Sequence, residues 1–184
     1  MKRFLALIAV IGLLSAGLIS ESQAQTKWVV GGRLGMSLYS AGGGGGGSYY
    51  NYYTGTYQSA GGTSSTSAGL QLGPMAEVTF SKQFAIGTEL DINTQGGTPI
   101  EWASYFKVYF NIPGSKIKPY ADAGFNLFFY TGGPYFGIEG GGGANFPIAP
   151  NLYIPADLKL GPVFASGSTV FYLAVTSGIR YEIP

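Results

Sequence analysis

The sequence of 184 residues contains no cysteine and no histidine. No disulfide can form, and both a Ser/His/Asp arrangement and a histidine metal site are excluded. Charged residues make up only 10% of the chain. Setting aside Lys2, Arg3 and Glu21 of the N-terminal segment leaves eight basic and eight acidic residues, so no basic excess indicates nucleic acid. We expect no cofactor, no metal and no nucleic-acid partner.

The first 24 residues have the pattern of an export signal. Lys2 and Arg3 precede an apolar run over residues 4–19, and a small-residue cleavage pattern ends at Ala24. The run is shorter than the ~20 residues that a spanning helix needs, and polar residues follow it. Residues 1–24 are therefore predicted to be a removed signal peptide, and residues 25–184 to be one exported domain.

Helical periodicity is hard to find after residue 25, whereas alternation of apolar and polar side chains recurs. Residues 70–80 and 84–93 both alternate with a period of two, and the short turn between them predicts a hairpin. The same pattern gives eight segments: 28–40, 70–80, 84–93, 100–111, 118–130, 135–147, 152–164 and 169–183. Eight amphipathic strands in succession predict an all-β, antiparallel, up-and-down barrel.

Alternation alone does not say which row of side chains faces inward. A soluble barrel buries its apolar row and could hold an apolar ligand, whereas an outer-membrane barrel turns that row toward lipid. The segments of ten to fifteen residues favour the membrane alternative, since a spanning strand needs ~9–11. Aromatic residues near the segment ends indicate two interfacial girdles: Trp28, Tyr39, Phe80, Phe84, Phe129, Tyr130, Tyr135, Phe136, Phe146, Tyr153, Phe164 and Phe171.

Almost every charge after the signal falls on the polar row, which supports a charged lumen. The predicted lumen network is Arg33, Glu77, Glu89, Asp91, Glu101, Lys107, Asp122, Glu139, Asp157, Lys159 and Arg180, with Glu182 in the same row. Eight acids meet four bases, so pairing requires that bases be shared or that some carboxylates be hydrated or neutral. Unpaired backbone groups are costly in hydrocarbon, so the first and last strands must also pair.

The longest connection, residues 41–68, has no charge and is rich in Gly, Ser and Tyr. Its composition predicts a flexible coil. An alternative interpretation is an adaptable contact surface for a ligand, since Tyr combines a large contact area with little entropy loss. Its candidate residues are Tyr49, Tyr50, Tyr52, Tyr53 and Tyr57.

The eight segments and the C-terminal stretch "TSGIRYEI" resemble the small OmpA-like and OmpX-like, porin-like outer-membrane barrels. Thr176, Gly178, Tyr181 and Ile183 match the C-terminal assembly signal of that family, although the chain ends in Ile183-Pro184 where the family usually ends in Phe. The resemblance implies insertion by the barrel-assembly machinery into the outer membrane of a Gram-negative cell. It also implies periplasmic termini and an extracellular first loop.

Little in the sequence supports catalysis. Glu89 and Asp91 could form a carboxylate pair, but two such charges on one strand more often belong to a lumenal ion-pair network. The glycine run at residues 140–143 lacks the Lys-Ser/Thr of a phosphate loop, and glycines inside a strand more often mark a bulge or make room for large neighbours. We predict a monomeric, non-enzymatic outer-membrane barrel with an envelope-structural or adhesin-like role. The alternatives are the secreted soluble barrel and a histidine-free lipid-acting enzyme.

Overall fold

The computed structural model describes residues 26–41, 48–51, 56–59, 65–94, 99–130, 133–165 and 168–184. The predicted signal peptide lies outside these residues. Within the ranges given, no helix has the length and apolar character needed to cross a membrane.

The described chain forms ten β-strands. Their bounds are Lys27–Ala41 (β1), Ser48–Asn51 (β2), Thr56–Ser59 (β3), Ser65–Thr79 (β4), Phe84–Asn93 (β5), Ile100–Tyr109 (β6), Lys118–Tyr130 (β7), Gly133–Ala149 (β8), Leu152–Ala165 (β9) and Ser168–Ile183 (β10). Eight of them close into one antiparallel barrel in the order β1-β10-β9-β8-β7-β6-β5-β4, with β4 paired to β1. The predicted eight-stranded barrel is confirmed.

The barrel is closed by the first and last of its strands. β1 and β10 pair antiparallel from Trp28 opposite Ile183 to Ala41 opposite Val170. This pairing leaves no open sheet edge, which a β-structure in lipid cannot tolerate. Trp28 and Ile183 mark what we call the terminal end of the barrel, and the opposite end, where β1 leads into β2, is the loop end.

The two rows of side chains face opposite ways, as their alternation requires. On β1 and β4, Leu34 is 58% exposed on the outer surface and Glu77 is 1% exposed inside. The exposed outer row consists mainly of large apolar residues, and the buried interior contains most of the charges. This sidedness is that of a transmembrane barrel and is the reverse of what the secreted soluble barrel with an apolar interior requires.

Two expectations about the loop end need correction. The stretch predicted as coil at residues 41–68 contains a two-stranded sheet, in which β2 pairs with β3 and Tyr50 lies opposite Tyr57. β4 begins at Ser65, so residues 65–68 belong to the barrel and pair with the end of β1. Hydrogen bonds to β1 extend β4 here although its small polar residues show no apolar alternation.

The connections at the terminal end are short. Asn151, at φ 61°, forms the tight turn between β8 and β9, and its carbonyl oxygen accepts a bond of 2.8 Å from the amide of Glu182. Gly114, at φ 79°, lies in the longer turn between β6 and β7 and adopts a backbone conformation that side chains disfavour. These turns hold the strand ends that surround the terminal opening.

Candidate functional site

The centre of the lumen contains an ion-pair cluster of three carboxylates and two bases. Arg33 lies 2.6 Å from Glu89 and 2.7 Å from Asp91 through its two terminal nitrogens. Lys159 contacts Glu89 and lies 3.0 Å from Glu139. All five side chains are buried. Each base is therefore shared between two acids, one of the arrangements that the excess of acids in the sequence required.

A second cluster lies nearer the terminal end and is built around Glu77. Its carboxylate contacts Arg180 and lies 3.0 Å from the Nζ of Lys107, and it accepts a hydrogen bond from the hydroxyl of Tyr109. Arg180 also donates to Asn145 at 3.1 Å. One buried carboxylate here pairs with two bases. The second cluster therefore has more bases than acids, whereas the central cluster has more acids than bases.

Tyrosines fill the space around the second cluster, the one nearer the terminal end. The Nζ of Lys107 lies 4.1 Å from the ring centroid of Tyr120 and 4.8 Å from that of Tyr105, within the range of a cation–π contact. The hydroxyl of Tyr120 donates to Asp157. The aromatic rings thus take the place that water would occupy in a wider channel.

Three predicted network members form no ion pair among the described residues: Glu101, Asp122 and Asp157. Glu101 instead accepts hydrogen bonds from the amides of Gln71 at 2.9 Å and Asn126 at 3.1 Å. Asp122 is buried in the inward row, opposite Lys107 in the strand register. Gln71 and Asn126 were not among the predicted network members, although their places in the polar rows of β4 and β7 indicate that they face the lumen.

The loop end of the lumen is closed by aromatic and aliphatic side chains, which we call the aromatic plug: Tyr39, Phe128, Tyr135, Val163, Val170, Tyr172 and Ala174. The ring centroids of Tyr39 and Tyr172 lie 5.2 Å apart, and Phe128 packs edge-on against both. Tyr39 and Tyr135 were expected in the interfacial girdle, but both point inward and are buried. Their position in the polar row of their strands decides this.

Other aromatic residues do lie on the outer surface. Phe80, Phe84 and Phe106 form a group near the terminal end, with Phe84 and Phe106 stacked at 5.7 Å. Phe136 stacks at 6.3 to 6.4 Å between two further phenylalanines of the neighbouring strands. Such groups fit the interfaces of a bilayer, where aromatic rings accumulate.

Glu89 and Asp91 do not form an accessible carboxylate pair in the lumen. Both are buried and bound to Arg33, and Lys159 also contacts Glu89. The glycine run of β8 makes room for large neighbours, because a Cβ on Gly143 would lie 2.8 Å from the hydroxyl of Tyr120. Among the residues that the structure describes, no group of three or more His, Cys, Asp or Glu side chains is placed to hold a metal ion.

The predicted contact tyrosines are only partly covered by the structure. Tyr49 and Tyr50 belong to β2 and Tyr57 to β3, where the backbone places them in one small sheet. Tyr52 and Tyr53 lie outside the described residues. The predicted assembly residues are all on β10: Tyr181 and Ile183 are exposed on the outer surface, and Gly178 pairs with Arg33 of β1. Their recognition by the assembly machinery stays a prediction.

No family model and no curated protein matches the sequence. The fold does match solved structures. Neisserial surface protein A aligns with a TM-score of 0.62 at 13% identity over 85% of this chain and 97% of that one. The N-terminal β-barrel domain of Pseudomonas aeruginosa OprF gives 0.57 at 10% identity, covering 87% and 98%. The outer membrane protein OprG of the same organism gives 0.55 at 10%, covering 85% and 95%. The chain thus has the fold of the small eight-stranded outer-membrane barrels.

Proposed function

We propose that this protein is an integral outer-membrane protein of a Gram-negative cell, with a non-enzymatic role in envelope structure or surface contact. The observation that carries the proposal is a closed barrel with an apolar outer row and a lumen filled by buried charges. In this arrangement lipid solvates the outer surface, and the charges replace the apolar core of a soluble protein. The terminal end faces the periplasm, and the first loop faces outward.

The packing of the lumen supports a role without catalysis or bulk transport. Eight strands enclose a space that side chains can fill. The aromatic plug occupies the loop end, and the two ion-pair clusters occupy the space below it. A substrate would have to displace these side chains to reach Glu89, and a solute would have to displace them to pass.

The first loop supports a contact role. It lies at the end of the barrel that we assign to the cell surface, and its two strands place Tyr50 opposite Tyr57. A paired backbone restricts the conformations available to these residues, so less entropy is lost when a partner binds. Tyrosine and glycine without charge favour an adaptable contact that depends little on salt.

Location is tested by fractionation and electrophoresis of the exported protein. We expect it in the outer-membrane fraction, extracted only with detergent, and a change of gel mobility between unheated and boiled samples because the closed barrel resists SDS. Recovery from the soluble periplasm without detergent would contradict the proposal. The purified protein is expected to be a monomer by light scattering corrected for detergent.

The contact role is tested by two matched triple variants of the loop. In one, Tyr49, Tyr50 and Tyr57 are changed to serine, and in the control Ser48, Thr56 and Ser59 are changed to alanine. We expect the tyrosine variant to lose adherence of expressing cells to an epithelial monolayer while both variants keep wild-type heat-modifiable mobility. Equal adherence of cells that express the wild-type protein and either variant would indicate that the loop is only a connection and that the role is purely structural.

A further inference from the structure

Charge is distributed very unequally between the two ends of the barrel. Residues 34–76, 92–100, 127–138 and 160–179, which form or flank the loop end, contain no Asp, Glu, Lys or Arg. Among the residues that the structure describes, the four lysines outside the two ion-pair clusters all belong to the terminal end: Lys27, Lys82, Lys116 and Lys118. Anchoring in a bilayer does not require this asymmetry, because both ends of a membrane-spanning barrel contact lipid headgroups.

A cavity of about 450 Å³ lies inside the terminal end, beside three of these lysines. Lys27, Lys82 and Lys118 line its rim, and Arg180 lines its inner side while being only 2% exposed. The Nε of Arg180 is buried and has no hydrogen-bond partner among the described residues. The cavity is large enough for a small organic molecule.

The lining has an excess of positive charge. Arg180 shares the carboxylate of Glu77 with Lys107, and Glu182 contacts Lys27 and lies 3.9 Å from Lys118. Glu182 is the one acid among the described residues that line the cavity, so two lysine charges remain uncompensated. Hydroxyl and amide groups lie beside them, including Tyr153, whose hydroxyl is 3.3 Å from the Nζ of Lys118.

We propose that this cavity binds a phosphate monoester. Such a group carries a charge of about −1.5 to −2 at pH 7 and three acceptor oxygens, which match two uncompensated lysines and their neighbouring donors. The cavity is larger than a phosphate ion, so the ligand carries an organic group beside Tyr153 and Tyr109, which also lines the cavity. The group could come from a soluble metabolite or from a lipid with a terminal phosphate.

The test uses the barrel in nanodiscs of neutral phosphatidylcholine. Glycerol 3-phosphate is titrated by calorimetry at low salt with glycerol as the uncharged control, and nanodiscs doped with phosphatidic acid are tested separately for lipid retained on extraction. Saturable binding of glycerol 3-phosphate assigns the site to soluble monoesters. Retained phosphatidic acid without such binding assigns it to lipid.

Three variants locate the site. A lysine charge about 5 Å from the anion changes binding roughly fourfold even in water, so Lys82→Gln with Lys118→Gln is expected to weaken it tenfold or more. Glu182→Gln is expected to tighten it. Lys116→Gln is the matched control, because Lys116 is exposed, lies two residues from Lys118 and lines a neighbouring groove instead.

Two results would overturn the proposal. One is the absence of both saturable binding and retained phosphatidic acid in the wild-type barrel. The other is a loss of binding with Lys116→Gln as large as that with the double variant, which would indicate general attraction to a basic rim. Heat-modifiable mobility of every variant excludes misfolding as the cause, since the substituted lysine side chains are on the exposed rim.

Discussion

Arg33 and Asp91 form a buried ion pair inside the lumen. The Nε of Arg33 donates to one carboxylate oxygen at 3.1 Å, and a terminal nitrogen lies 2.7 Å from the other. The remaining terminal nitrogen of the same guanidinium lies 2.6 Å from Glu89, so one base is held between two carboxylates. The two residues belong to β1 and β5, which are separated in the sheet by β4, so the pair braces strands that are not neighbours.

Replacing Arg33 tests the energetic role of the central cluster. Arg33→Met leaves Glu89 and Asp91 buried beside one another without their shared base, which is expected to cost about 3–5 kcal/mol of the free energy of unfolding. Urea unfolding in lipid vesicles, followed by tryptophan fluorescence, measures the loss. Lys116→Met in the exposed turn is the control and should change little. A loss below about 1 kcal/mol for Arg33→Met would mean that water enters the lumen freely.

The lipid-facing surface is tested by two arginine substitutions at residues of similar exposure. Leu34 is 58% exposed in the middle of β1, and Ile112 is 51% exposed in the turn between β6 and β7. Leu34→Arg is expected to destabilise the barrel by about 2–4 kcal/mol, since it places a charge near the bilayer midplane, whereas Ile112→Arg should be almost neutral. Equal effects in unfolding from vesicles would contradict the membrane orientation.

The aromatic plug is expected to control access to the lumen from the loop end. Since the chain has no cysteine, Ser37→Cys gives a single thiol on β1, two residues from Tyr39 toward the barrel centre. We expect a membrane-impermeant maleimide to label it very slowly on whole cells. Adding Phe128→Ala and Tyr172→Ala should speed labelling at least tenfold.

Thr94→Cys provides the control for the labelling experiment, because Thr94 is exposed at the end of β5 and should react rapidly in either background. Rapid labelling of Ser37→Cys without the two alanines would show that the plug opens in the native protein.

Two glycines of β8 should respond differently to the same substitution. A Cβ on Gly143 would overlap the carbonyl oxygen of Ala156 and crowd Tyr120, whereas a Cβ on Gly140 meets nothing closer than an oxygen 3.8 Å away. Gly143→Val is expected to cost about 1–3 kcal/mol through overpacking, and Gly140→Val much less. Unfolding in urea measures both, and similar losses would indicate that the two sides of β8 tolerate bulk equally.

Much of the barrel could be predicted because alternation is a strong local signal. β5 has the predicted bounds, and β6 differs only in ending at Tyr109 rather than residue 111. The prediction was weaker where alternation is absent: the start of β4 and the β2–β3 sheet are held by hydrogen bonds to partner strands. Residues 48–51, 56–59 and 65–68 consist mainly of Ser, Thr, Tyr, Asn and Gln and give no aliphatic row from which a strand could be recognised.

By itself the sequence determined the two rows of side chains, because a period of two allows only two assignments, and in a membrane the charged row must be the one that faces the lumen. Only the tertiary structure decided that Lys159 bridges Glu89 and Glu139, that Glu101 is held by amides, and that aromatic rings close one end. The contact of Lys159 with Glu89 joins β9 to β5, and that of Glu101 with Gln71 joins β6 to β4, strands that are not adjacent in the sheet. Which side chains meet therefore depends on the closure and stagger of the whole barrel, which no local pattern encodes.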